Sequence, residues 1–193
     1  MITKRQAIEL IQHRLSGGDT PEDVRKLYPR SIISRVLNLA LADAVTRDTY
    51  LANEMAMNYT FTPEIDTNGS YITLNPRPIS GTLSIYTIED ESTNDNSYII
   101  QTKAEAQALS VLRGGNKNAA ILFNDKIRFN KKPVGDVTVS MIPNVYQMNE
   151  DDALIVPNAE MALFTMCLQV LASPQFQDEL NNSVQDMPQQ PRQ

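Results

Sequence analysis

Apolar and polar positions divide the chain into three stretches with different periods. In the first, Ala7, Ile8, Ile11 and Leu15, with Leu10 on the flank, make an apolar stripe at helical spacing. Thr3-Lys4-Arg5-Gln6 ahead of it fits a capping box, in which hydroxyl and amide side chains satisfy each other's free backbone N–H groups. Gly17-Gly18 closes the helix, and Thr20-Pro21-Glu22-Asp23 opens a short second one that stops at Tyr28-Pro29. From Ser31 to Met57 a three-four repeat runs through Ile33, Val36, Leu37, Ala40, Leu41, Ala44, Val45, Leu51, Ala52 and Met55, interrupted at Asp48. A helix of that length spans roughly 40 Å and needs partner helices along its apolar face.

The middle stretch trades Leu and Ala for Thr, Tyr, Ile and Val, and turn residues become frequent, which predicts strands. Tyr59–Ile65 and Tyr71–Leu74 flank a hairpin turn at Asn68-Gly69. Thr82–Ile88, Tyr98–Gln101, Ala119–Phe123, Lys126–Phe129 and Val137–Ile142 follow. A second capping box, Thr102-Lys103-Ala104-Glu105, starts a short helix that Gly114-Gly115 ends. In the third stretch, after Pro157-Asn158, Ala159, Ala162, Leu163, Met166, Cys167, Val170 and Leu171 restore the helical stripe until Pro174 breaks it. Phe176–Val184 adds a turn or two, and no periodicity remains from Asp186.

The expected fold is α+β. An α-helical body of two short helices, one long helix and one C-terminal helix carries an inserted small antiparallel β-sandwich or barrel. The organisation reads as residues 1–57 for the N-terminal part of the body, 58–156 for the insert, 157–185 for the closing helix and 186–193 for a flexible tail.

Composition narrows the chemistry. The 193 residues include one cysteine, which excludes an internal disulfide and a cysteine-based metal site, and one histidine, which excludes histidine clusters. His13 in the last turn of the first helix and Cys167 on an apolar stripe read as structural rather than as a nucleophile and its base. No catalytic residue, metal site or cofactor is expected, and the protein is read as a non-enzyme. No apolar run reaches the roughly 18–20 residues of a membrane span, and the N-terminus lacks the apolar core of a signal peptide. The net charge is −6, and residues 151–193 hold six acidic groups against one basic, which argues against a general nucleic-acid binder.

The acidic runs Glu89-Asp90-Glu91 and Glu150-Asp151-Asp152 read as solvated turns, since adjacent carboxylates on a strand point to opposite faces. Glu89, Asp90 and Glu91 remain candidates for contact with a neighbouring protein, together with Phe176 and Leu180 as apolar anchors that order on docking. Arg113 and Lys117, in a glycine loop without the phosphate-loop pattern, join Lys126, Arg128, Lys131 and Lys132 as a candidate basic patch. Arg113, Lys117, Lys131 and Lys132 are the candidate DNA-channel contacts. Aromatic residues, 6% of the chain with no tryptophan, are too sparse for a stacking platform.

The opening from Ile2 to Gly18, which ends in Leu15-Ser16-Gly17-Gly18, leads into the long helix from Ser31. A strand-rich insertion follows, and Ile155-Val156-Pro157 opens the closing helix. This layout resembles the neck proteins of short-tailed phages, especially the ring or adaptor proteins of crAss-like phages. The resemblance implies a non-enzymatic head–tail connector in the virion, made in the host cytoplasm. About twelve copies would stand as a ring below the portal protein. They would extend the DNA channel, meet neighbouring tail or ring proteins, and let double-stranded DNA pass without specific binding. Two readings from other classes stand beside it. One is a virion or surface binding module whose β insert recognises a protein or carbohydrate; the other is a hydrolase with two carboxylates roughly 5–9 Å apart in a cleft.

Overall fold

The computed structural model describes residues 2–16, 28–90, 92, 97–101, 118–155, 160–174 and 176–178. The short helix expected after Thr20, the glycine cap at 17–18, the helix from Thr102 to Gly115 and the tail from 186 lie outside them, as does most of the Ile-Val-Pro turn.

Thr3 and Gln6 form the expected capping box: Gln6 N–H donates to Thr3 Oγ1 at 3.3 Å, and Thr3 N–H to Gln6 Oε1 at 3.0 Å. Helix α1 (Lys4–Ser16) starts there and buries Ala7, Ile8 and Ile11. The long helix is two. Helix α2 (Arg30–Arg47) stops at Asp48, whose backbone (φ −138°, ψ 88°) leaves the helical region, and α3 (Thr49–Glu54) starts anew. The same Asp48 caps α3 by accepting from Leu51 N–H at 3.0 Å. The repeat continues across the break because Ala52 and Met55 still pack into the core. Helix α4 (Glu160–Ala172) closes the body against α2 with Leu163, Phe164, Cys167 and Leu171.

The insert is a sandwich of two sheets. Strands β2 (Met57–Phe61), β9 (Val137–Met141) and β5 (Ile85–Asp90) form one, in the order β2-β9-β5. Strands β3 (Glu64–Asp66), β4 (Gly69–Thr73), β8 (Lys126–Phe129), β7 (Ala119–Phe123) and β6 (Ile99–Gln101) form the other, in the order β3-β4-β8-β7-β6. Ile72, Leu74 and Ile127 from one sheet meet Ile88, Val139 and Met141 from the other in a buried cluster separate from that of the helices. The expected hairpin forms with its turn one residue earlier, at Thr67-Asn68, and Gly69, whose φ of 111° favours glycine, opens β4 opposite Asp66. The strand expected over Tyr59–Ile65 is divided between β2 and β3, which belong to different sheets.

Three further features depart from the sequence expectation. Strand β6 pairs parallel with β7, so the insert is not wholly antiparallel. Residues Gly81–Ser84 form a 3-10 turn, and β5 begins only at Ile85. Strand β1 (Ile2–Thr3) pairs with β10 (Ala153–Ile155), stitching the N-terminus to the approach to α4; two-residue pairing leaves no alternation to detect. Lys4 and Arg5 N–H extend the stitch to the carbonyls of Asp152 and Glu150. Ile142, Val145, Met148 and Leu154, all within the expected insert, pack in the helical core. The chain leaving β9 therefore passes directly from one core to the other.

Candidate interaction site

Strand β5 edges the three-stranded sheet and β6 edges the five-stranded one. Where they meet, a groove of about 610 Å³ opens to solvent, walled by Leu83, Tyr86, Ile88, Glu89, Tyr98 and Ile100. The extra residue in β5 at Tyr86, where the register with β9 shifts between Ile85 and Thr87, bends this edge strand. The chain entering β6 crosses to β5: Tyr98 N–H donates to Ile88 O at 2.8 Å, and Ser97 bridges Glu89. Tyr98 is fixed by an edge-to-face contact with Phe129 (4.8 Å, 63°) and by its hydroxyl, which donates to Lys131 O at 3.2 Å. Burial pushes the Tyr86 and Tyr98 hydroxyls up from their ordinary pKa, Tyr98 also through the Asp90 charge, so both stay protonated donors. Leu83, 70% exposed, and the half-exposed Ile99 stand among the lining residues. Among the described residues lining it, Glu89 is the one charged side chain, and Thr82, Thr87 and Ser97 add polar groups to an otherwise apolar wall.

Asp90, beside the groove, is 3% exposed and knits loops together. Its carboxylate accepts from Ser92 N–H (3.0 Å) and Oγ (2.6 Å), Val134 N–H (2.7 Å) and Gly135 N–H (3.1 Å). Burial alone would raise its pKa, but these donors outweigh it and hold the carboxyl below the usual range. Asp90 is thus a buried structural acid rather than a surface for a neighbour. Phe176 is corrected in the same way: it is 6% exposed, sits in the helical core and lies under the Arg35 guanidinium at 5.7 Å. Glu89 is exposed as expected, and so are Lys131 and Lys132. Glu91, Arg113, Lys117 and Leu180 lie outside the described residues.

The fold brings together residues expected to act apart. Asp90 holds the loop that follows Lys131 and Lys132, and Tyr98 holds Lys131 itself. Acidic and basic candidates therefore share one end of the sandwich. Lys126 and Arg128 leave the expected basic patch, because they alternate with Ile127 and Phe129 onto the outer face of β8. There Arg128 makes a two-pronged pair with Asp66 (2.9 and 2.7 Å), and Lys126 Nζ lies 4.1 Å from the Tyr71 ring centroid. The Arg128 hydrogen bonds, then Asn68 N–H, pull Asp66 from its ordinary 3.8 to about 2. A depressed carboxylate stabilises the fold fully above its ordinary value, and that contribution is lost as pH falls through the folded one. Urea titrations should therefore show wild-type stability declining from pH 3.8 to about 2 more steeply than that of Asp66→Asn. Equal slopes would refute the pairing.

Cys167 is fully buried, and burial pushes its thiol up to about 12, which suits an inert core residue. The Tyr59 hydroxyl, likewise pushed up to about 12 by burial and then by Asp152, is a buried donor without a protein partner among the described residues. Among the described residues no group of three or more His, Cys, Asp and Glu is placed to hold a metal, and no helix is long and apolar enough to cross a membrane. Sequence reasoning missed the groove, since Leu83, Tyr86 and Tyr98 come from segments whose meeting depends on how the two sheets pack. No known protein family matches this chain, and no curated protein is similar to it.

Proposed function

We propose that this chain is a structural virion protein, a ring or adaptor subunit of a phage head–tail neck that docks below the portal, extends the DNA channel and links capsid to tail. The observation that carries the reading is the spread of exposed apolar side chains over separate elements. Tyr50 on α3 (77%), Val134 in the loop before β9 (76%), Leu83 in the 3-10 turn (70%) and Met161 on α4 (59%) face solvent. A subunit held by copies of itself, a portal and a tail needs several such surfaces, whereas a small-molecule site gathers its apolar groups in one concavity. The likeness in layout to crAss-like phage ring proteins supports the same reading, and a net charge of −6 suits a conduit that must release DNA.

Mass photometry of the protein mixed with portal rings from the same particle tests this. A gain of about twelve subunits, on the order of 260 kDa at 21.6 kDa each, is expected. Portal rings of unchanged mass would remove the portal as direct partner. The groove between β5 and β6 favours a second reading, a binding module for an extended partner segment. That reading expects stabilisation by the segment without ring formation.

A further inference from the structure

The two ends of α2 carry unlike surfaces. Beyond its C-terminal end, Tyr50 is the most exposed large apolar side chain among the described residues. Acids surround it in the chain: Asp43, paired with Arg47 at 2.6 Å, then the exposed Asp48 and the half-buried Glu54. Toward the other end stands α4, which carries one charged side chain, Glu160 at its start, and none over residues 161–177. Met161, Thr165 and Leu168, spaced to share one helix face, are all exposed. Arg14 of α1 lies beside this face, donating to Met161 Sδ at 3.5 Å and lying 5.5 Å from the Phe164 ring centroid. Leu10, one turn back on α1, is also exposed.

These surfaces are far apart. Glu9 pairs with Arg30 at 3.0 Å and Gln12 donates to Tyr28 O at 2.8 Å, which pins the middle of α1 to the start of α2. The 18 residues of α2 then rise roughly 27 Å before Asp48. Interface centres are depleted of charge and enriched in Tyr, Met and Arg, which describes this pair of surfaces.

We infer that Tyr50 of one copy seats on the Met161–Leu168 face of the next, its flanking carboxylates meeting Arg14. Asp43 is already held by Arg47, so Asp48 and Glu54 are the acids that face Arg14 across the contact, and their opposite charges make the two surfaces complementary. Because they are different surfaces on one chain, the contact is head-to-tail, the kind that closes a ring by rotation. The inference rests on the ring reading and supplies its subunit contact.

The test uses full-length Tyr50→Cys and Met161→Cys proteins on portal rings under mild oxidation. Both positions are exposed, and the buried Cys167 does not compete. Cross-linked dimers are expected from the mixture and from neither variant alone, while the double variant gives a ladder ending in a closed ring. Tyr50→Glu is expected to cut the portal-bound mass at least tenfold, with Ile65→Glu, on the exposed edge strand β3, leaving it unchanged. Cross-linking by Tyr50→Cys alone, or full rings that yield no cross-link in the mixture, would overturn the contact while sparing the ring reading. Portal rings that gain no mass with the unaltered protein would overturn both.

Discussion

Truncating Phe164 to alanine is expected to lower the unfolding free energy by about 3–5 kcal/mol. Phe164 is among the largest fully buried side chains, and its loss leaves a cavity where α4 packs on α2. It also removes the ring over which Arg14 lies. Domains of this size have roughly 5–15 kcal/mol in total, so the variant will be partly unfolded at modest urea concentrations. Phe164→Leu, which keeps most of the volume, should lose much less and gives a folded comparison. The two cores have no buried residue in common, yet β9 runs straight into Ile142 and Val145 of the helical core, and Tyr86 of β5 packs against that core. Helical circular dichroism and tyrosine fluorescence should therefore report one transition with one midpoint. Separate midpoints, or a loss below 1 kcal/mol, would contradict this account of the packing.

Asp90→Ala is expected to cost about 3 kcal/mol, the next largest loss. The substitution leaves the N–H groups of Ser92, Val134 and Gly135 without their acceptor, and a hydrogen bond to a charged group contributes roughly 1.5–3 kcal/mol. Water entering the opened loop reduces the sum. Amide exchange at Val134 and Gly135 should quicken in the variant while Ile127, in the sandwich core, stays protected. Asp90→Asn should retain part of the stability, since its carbonyl still accepts. The carboxyl is held below its usual range, so its contribution is present above the ordinary carboxylate value and disappears as pH falls below it. Gly135 shares the same constraint: a Cβ there would come within 2.9 Å of Ser92 Cβ. A drop under 1 kcal/mol for Asp90→Ala, with unchanged exchange, would mean the loops are held by something else.

Local signals in the sequence were strong where one element's own pattern decides its structure. The capping box at Thr3–Gln6, the stripe of α1, the β3–β4 hairpin to within one residue and the bounds of β7 and β8 follow from residues within one turn or one strand. Phe164 escaped the α4 stripe because it lies next to Leu163, and α4 is enclosed widely enough to bury both. The break at Asp48 was legible as an interruption, but its role as the cap of α3 depends on a backbone geometry that spacing does not reveal. At the candidate site, Glu89 was visible as an exposed acid. Asp90 was visible only as its neighbour, and which of the two turns inward depends on the face that β5 presents to the other sheet.

The sequence by itself determined the α+β class, the helix–strand–helix order and most of the core, because hydrophobic period and capping chemistry act over a few residues. Only the tertiary structure decided the parallel β6–β7 pair, the β1–β10 stitch, the burial of Asp90 and Phe176, and the gathering of Asp90, Tyr98 and Lys131 at one end of the sandwich. Each of these joins segments distant in sequence, and the free energy of such contacts depends on partners that no local pattern names.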